Sequence, residues 1–145
     1  MKISECMTRD VHLVNPDQPI REAAQFMLRA DTGSMPVGDG DRLIGMITDR
    51  DITVRAVAEG RGPDTPVREV MSDELLYVFE DQSVDEVAEN MGQNQVRRFP
   101  VVNREKRLVG IVSLGDISRN DQGAAEHALE EITEPGGRHS QGRAG

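Results

Sequence analysis

The chain has 145 residues, 37% apolar and 30% charged, which suits a soluble globular protein, and no apolar run approaches the roughly 18 residues needed to cross a bilayer. Seventeen basic against 26 acidic residues give a formal charge of −9, which repels polyphosphate backbones and argues against DNA or RNA as a partner. Cys6 is the only cysteine, so neither an intramolecular disulfide nor an all-cysteine zinc set can form. No secretory leader pattern opens the chain, and the expected location is cytoplasmic, without a membrane partner.

Val11 to Val14 reads as a short strand before the turn signal Asn15-Pro16-Asp17. Pro19 can start a helix on which Ile20, Ala23, Ala24, Met27 and Leu28 share one face. Met35-Pro36-Val37 gives a strand, Gly38-Asp39-Gly40-Asp41 a hairpin-type turn, and Leu43 to Ile47 a second, partly β-branched strand. Thr48 can cap a helix over residues 49–58, which Gly60-Arg61-Gly62-Pro63 breaks.

The same order then returns. Glu5, Met7, Val14, Asp17, Gln18, Glu22, Ala24, Met27, Pro36 and Val37 recur 64 positions later as Glu69, Met71, Val78, Asp81, Gln82, Glu86, Ala88, Met91, Pro100 and Val101. After one inserted residue, Arg42, Leu43, Gly45, Asp51 and Ile52 recur 65 positions later as Arg107, Leu108, Gly110, Asp116 and Ile117. That period exceeds the roughly 20 to 50 residues of solenoid and propeller repeats. It reads as two copies of one small α/β unit, each small for independent stability and expected to pack against the other. In the second copy Leu75 to Phe79 is the first strand, Ser83 with Glu86 a capping box for a helix to about Gln93, and Phe99 to Val102 with Leu108 to Val112 the paired strands.

The organisation expected is a first repeat over 1–60, a linker over 61–66, a second repeat over 67–120, and a short helix with a mobile tail over 121–145. Ala124, Ala125, Ala128, Leu129 and Ile132 would form that helix.

The strongest local pattern is Gly45-Met46-Ile47-Thr48-Asp49-Arg50-Asp51 and its copy Gly110-Ile111-Val112-Ser113-Leu114-Gly115-Asp116. Two readings fit. Ser or Thr followed three residues later by an acid is a helix cap. The same carboxylate at a strand-to-helix junction can also accept both hydroxyls of a ribose, with the neighbouring hydroxyl near phosphate. Arg97-Arg98 divide in the same way, between a solvated or ion-paired surface couple and a fork of donors for phosphate oxygens. Their equivalents in the first copy are Gly33 and Ser34, so two sites would be unequal. His12, His127 and His139 are dispersed and suggest no metal site, and no nucleophile elbow, P-loop or Ser/His/Asp set suggests catalysis.

The duplicated Met-Thr or Met-Ser openings, Met35-Pro36-Val37 with Phe99-Pro100-Val101, and the paired Gly-x-x-Thr/Ser-x-x-Asp segments together resemble a cystathionine β-synthase (CBS) domain pair, or Bateman module, over about residues 3 to 120. The resemblance implies an α/β (α+β) fold of tandem βαββα-like repeats packed about a pseudo-twofold axis, with clefts between them. It also implies a non-catalytic sensor, needing no cofactor, that binds an adenosine-containing regulatory ligand such as AMP, ADP, ATP, NAD or S-adenosylmethionine. By the resemblance Asp51 and Asp116 hold ribose, Thr48 and Ser113 approach ribose or phosphate, and Met35, Val37, Phe99 and Val101 line adenine. Arg97 and Arg98 reach phosphate, and Arg50 offsets the charge of Asp49. Such pairs usually form homodimers and would act on an unidentified effector protein. The competing reading is a ligand-free dimeric structural or interaction protein.

Overall fold

The computed structural model describes residues 1–135, so the expected mobile tail lies, from residue 136 on, outside the described residues. The chain divides into two compact units, His12–Leu75 and Met1–Val11 together with Leu76 onward. Each unit therefore combines the body of one sequence copy with the opening segment of the other.

In the unit His12–Leu75, helix α1 spans Ile20–Ala30, with Pro19 at its N-cap and Asp31 ending it in the left-handed conformation (φ 52°). Ile20, Ala23 and Met27 are buried, whereas Ala24 is exposed and Leu28 is 82% exposed. The buried stripe is narrower than the pattern suggests, because a two-stranded sheet covers only the i, i+3, i+7 line of the helix. Strands β1 (Ser34–Asp39) and β2 (Arg42–Thr48) pair antiparallel, joined by Gly40-Asp41 with Gly40 at φ +64°. The strand expected at 11–14 is reduced to one parallel bridge, Val14 to Val37, before the Asn15-Pro16 turn leads the backbone away.

Helix α2 (Asp49–Asp51) continues as a π-helical segment, Ile52–Val57, in which the Ala58 N–H donates to Thr53 O at 2.9 Å. The helix expected over 49–58 is thus present with a wider winding.

In the other unit, β3 (Val78–Phe79) runs parallel to β4 (Arg98–Val102), which pairs antiparallel with β5 (Leu108–Ser113). The registers match the first unit: Pro36 faces Met46 and Pro100 faces Ile111, with an irregularity after Val37 and after Val101. The extra residue of the second copy falls in the hairpin loop, where it changes no paired position. Helix α3 (Val84–Asn94) is capped by Ser83, whose Oγ accepts from the Glu86 N–H at 3.1 Å. Helices α4 (Leu114–Ser118) and α5 (Gln122–Ile132) follow, α5 packing on α3 and α4. Gln95 Nε2 ties α5 down by donating to Glu131 O at 2.8 Å and Glu134 O at 3.1 Å.

The exchanged openings are built into each core. Val67 and Val70 pack with Met35, Val37 and Ile47, while Ile3 and Met7 pack with Val78, Phe99 and Ile117. Thr8 bridges β5, its N–H donating to Ile111 O at 2.8 Å and its carbonyl accepting from the Ile111 N–H at 2.9 Å. Ser72 bridges β2 through Met46 at 2.8 and 2.9 Å. These contacts explain the two glycines of the repeated motif. A Cβ on Gly45 would stand 2.6 Å from Ser72 O, and one on Gly110 2.8 Å from Thr8 O.

Candidate functional site

Both Gly-x-x-Thr/Ser-x-x-Asp segments form complete capping boxes. Thr48 Oγ1 accepts from the Asp51 N–H at 3.0 Å while the Thr48 N–H donates to Asp51 Oδ2 at 2.9 Å. Ser113 and Asp116 repeat this at 3.1 and 2.9 Å. The cap therefore occupies one carboxylate oxygen in each unit and leaves Oδ1 for another partner. In this structure that partner is an arginine one turn along: Arg119 Nη2 donates to Asp116 Oδ1, and Arg55 Nε lies 3.9 Å from Asp51 Oδ1.

The two arginines are held differently. Arg55 Nη1 donates to Met71 O at 3.1 Å and Val70 O at 3.4 Å, which fastens it to the opening segment of the other copy. The Arg119 side chain is 71% exposed. Asp116 is 5% exposed and is the one buried charged side chain among the described residues. Sequence reading did not single out Arg55 or Arg119, although their i+4 and i+3 spacing from an aspartate was a usable signal.

Cys6 lies within the field of the Asp116 site. Burial pushes its thiol above the ordinary value, the Asp116 and Glu5 carboxylates push it further, and Arg119 partly offsets them.

Arg97 and Arg98 are both exposed, and with Ser113 and Gly115 they line a cavity of about 450 Å³ that Gln122 and Glu126 of α5 also line. The helix was legible in sequence, but its place beside the arginines was not. The equivalent corner of the first unit carries the opposite charge. Asp49 lies against Gly33, where a Cβ would meet Asp49 Oδ2 at 2.9 Å, and the Asp49 N–H donates to Gly33 O at 2.9 Å. Arg50 is exposed beside it, its N–H donating to Asp49 Oδ1 at 2.8 Å.

Met35 (3% exposed), Val37 (0%), Phe99 (2%) and Val101 (0%) are core residues of their units. Of the residues singled out from sequence, the structure thus gathers Arg97, Arg98 and Ser113 at one cavity, places Asp116 beneath Ser113, and sets Thr48, Arg50 and Asp51 together in the other unit. Among the described residues no group of three or more His, Cys, Asp or Glu side chains is placed to hold a metal ion. Nor is any helix among them long and apolar enough to cross a membrane.

The model of the CBS domain family matches residues 3–57 and 67–123. The CBS domain-containing protein YhcV of Bacillus subtilis is 42% identical over 133 residues, covering 90% of this chain and 94% of that relative. The crystal structure of Hypoxic Response Protein I with two coordinated zinc ions superposes with a TM-score of 0.74 at 39% identity, covering 82% of this chain and 98% of that one. The CBS domain pair of protein MJ0100, solved with 5'-methylthioadenosine and S-adenosyl-L-methionine, superposes with a TM-score of 0.72 at 29% identity, covering 85% and 97%.

Proposed function

Since this chain belongs to the CBS domain family, with two copies of the domain in tandem, we propose that it is a non-catalytic regulatory module that binds adenosine-containing ligands at the Asp51 and Asp116 sites. The observation that carries this reading is the state of the Asp116 carboxylate. It is buried, one oxygen is locked by the Ser113 cap, and the other is held only by an exposed arginine. A ribose presents two adjacent hydroxyls as donors to such an acceptor, and Arg97 and Arg98 in the neighbouring cavity suit phosphate oxygens. The adenosine-containing ligands of the MJ0100 pair support the same ligand class.

In this reading Thr48 and Ser113 place the ribose-binding carboxylates, and Arg50 offsets Asp49 in the first site. Met35, Val37, Phe99 and Val101 support the adenine end from the cores. The module works in the cytoplasm as a homodimer, and ligand binding shifts its population toward the arrangement that an effector protein recognises. A second reading, a dimeric scaffold without ligand, is favoured by one fact: each carboxylate oxygen of Asp116 already has a partner within the protein.

Calorimetric titration with AMP, ATP, NAD, S-adenosylmethionine and 5'-methylthioadenosine separates the two. Asp116→Asn keeps a cap acceptor but loses the charge. It is expected to weaken binding about 10- to 100-fold at its site, since a hydrogen bond to a charged group contributes about 1.5–3 kcal/mol. Wild-type protein that takes up none of these ligands at millimolar concentration leaves the scaffold reading standing.

A further inference from the structure

We infer that Arg119 is a resident counter-ion which the ligand must displace from Asp116, and that this exchange makes the Asp116 site favour phosphorylated nucleosides over free nucleosides. The inference rests on the ribose reading of Asp116 given above. Arg119 Nη2 donates to Asp116 Oδ1, the oxygen that the cap leaves available. A ribose seated on that oxygen replaces a charge-assisted bond by neutral ones and releases a guanidinium. A free nucleoside gives that guanidinium nothing in return.

A phosphorylated ligand does offer something. Arg119 Nη1 stands 3.9 Å from where a Cβ of Gly115 would be, and Gly115 lines the cavity that Arg97 and Arg98 also line. No side chain stands at Gly115 between the released guanidinium and the cavity. The phosphate then gains a third arginine at the moment the ribose takes the carboxylate, and the ligand's two halves are coupled through one residue. Because Arg119 is 71% exposed, its movement breaks no packing.

The Asp51 site lacks this coupling. Arg55 is fastened to the Val70 and Met71 carbonyls, stands 3.9 Å from Asp51 Oδ1, and has no need to leave. Asp49 against Gly33 places a carboxylate where the other unit has Arg97, and with Arg50 beside it this corner lacks the net positive charge that the Arg97-Arg98 pair brings. The preference for phosphorylated ligands is therefore confined to the Asp116 site.

The test uses the full chain with Asp51→Asn, so that the Asp116 site alone reports, and titrates AMP and adenosine into that parent and into Arg119→Ala and Arg119→Lys. In Arg119→Ala the ratio of AMP to adenosine affinity falls about tenfold or more, adenosine binding as well as before or better, and lysine restores part of the ratio. A ratio within about twofold of the parent, or equal losses for both ligands, overturns the role of Arg119 while leaving the Asp116 site intact. A parent that binds neither ligand, with Asp116→Asn also silent, overturns the nucleotide reading and this inference with it.

Discussion

Replacing Gly110 by alanine puts the exchanged openings under direct strain. The new Cβ would lie 2.6 Å from Met7 Sδ and 2.8 Å from Thr8 O. The methionine sulfur can turn aside cheaply. The Thr8 carbonyl is backbone, and must move by roughly 0.6 Å to reach ordinary contact near 3.4 Å. That movement stretches both bonds of the bridge, Thr8 N–H to Ile111 O at 2.8 Å and Ile111 N–H to Thr8 O at 2.9 Å. Two weakened backbone bonds at about 1 kcal/mol each, with about 1–2 kcal/mol of local overpacking against the buried Met7, sum to about 3–4 kcal/mol.

Urea unfolding measures the loss, and amide exchange at Thr8 and Ile111 locates it. Gly123→Ala is the matched control, because its nearest neighbour is Asp121 Oδ1 at 3.7 Å and its place in α5 favours alanine by up to about 1 kcal/mol. A Gly110→Ala protein within about 0.5 kcal/mol of wild type, with both amides still protected, refutes the claim that this glycine admits the opening segment.

Gln95→Ala removes two side-chain contacts to the end of α5 and should cost about 1 kcal/mol, with faster amide exchange in α5 and none of it in α1. Uniform acceleration across both units would contradict a local latch. Burial raises the Cys6 thiol in the folded chain above its ordinary 9.0, so the native state holds this proton more tightly than the unfolded state does. The stability linked to Cys6 is fully present below pH 9 and is lost as pH climbs beyond it, and Cys6→Ala should flatten that alkaline decline in urea titrations at stepped pH. The same shift predicts slow alkylation of the native thiol at pH 8 compared with the urea-unfolded chain.

The duplication and the caps were readable because each leaves a local trace: a hydroxyl and an acid at fixed spacing, a glycine in a hairpin, a proline between apolar residues. Ala24 and Leu28 share the apolar face of α1 yet stay exposed, because spacing defines a stripe but not how wide a sheet will cover it. The strands at 11–14 and 75–79 shrank since apolar runs do not say where a neighbouring strand ends. The exchange of openings left no trace at all. Met7-Thr8 and Met71-Ser72 are near copies, so packing each on its own body or on the other's satisfies the pattern equally well. For the same reason Gly45 and Gly110 read only as repeated glycines, their cause being a backbone 60 or more residues from one of them and more than 20 from the other. Arg119 went unnoticed because its equivalent in the first copy is Val54, and attention to what repeats passes over what does not.

That exchange has a consequence for how such a chain could arise. A lone copy that kept this arrangement would carry an opening seated on another copy's sheet, and two such copies would complete each other by trading arms, as in a domain-swapped dimer. Tandem duplication turns the trade into an internal one, at an effective concentration of roughly millimolar in place of whatever the cell supplies. Each half is then a folding partner that the other cannot lose by dilution.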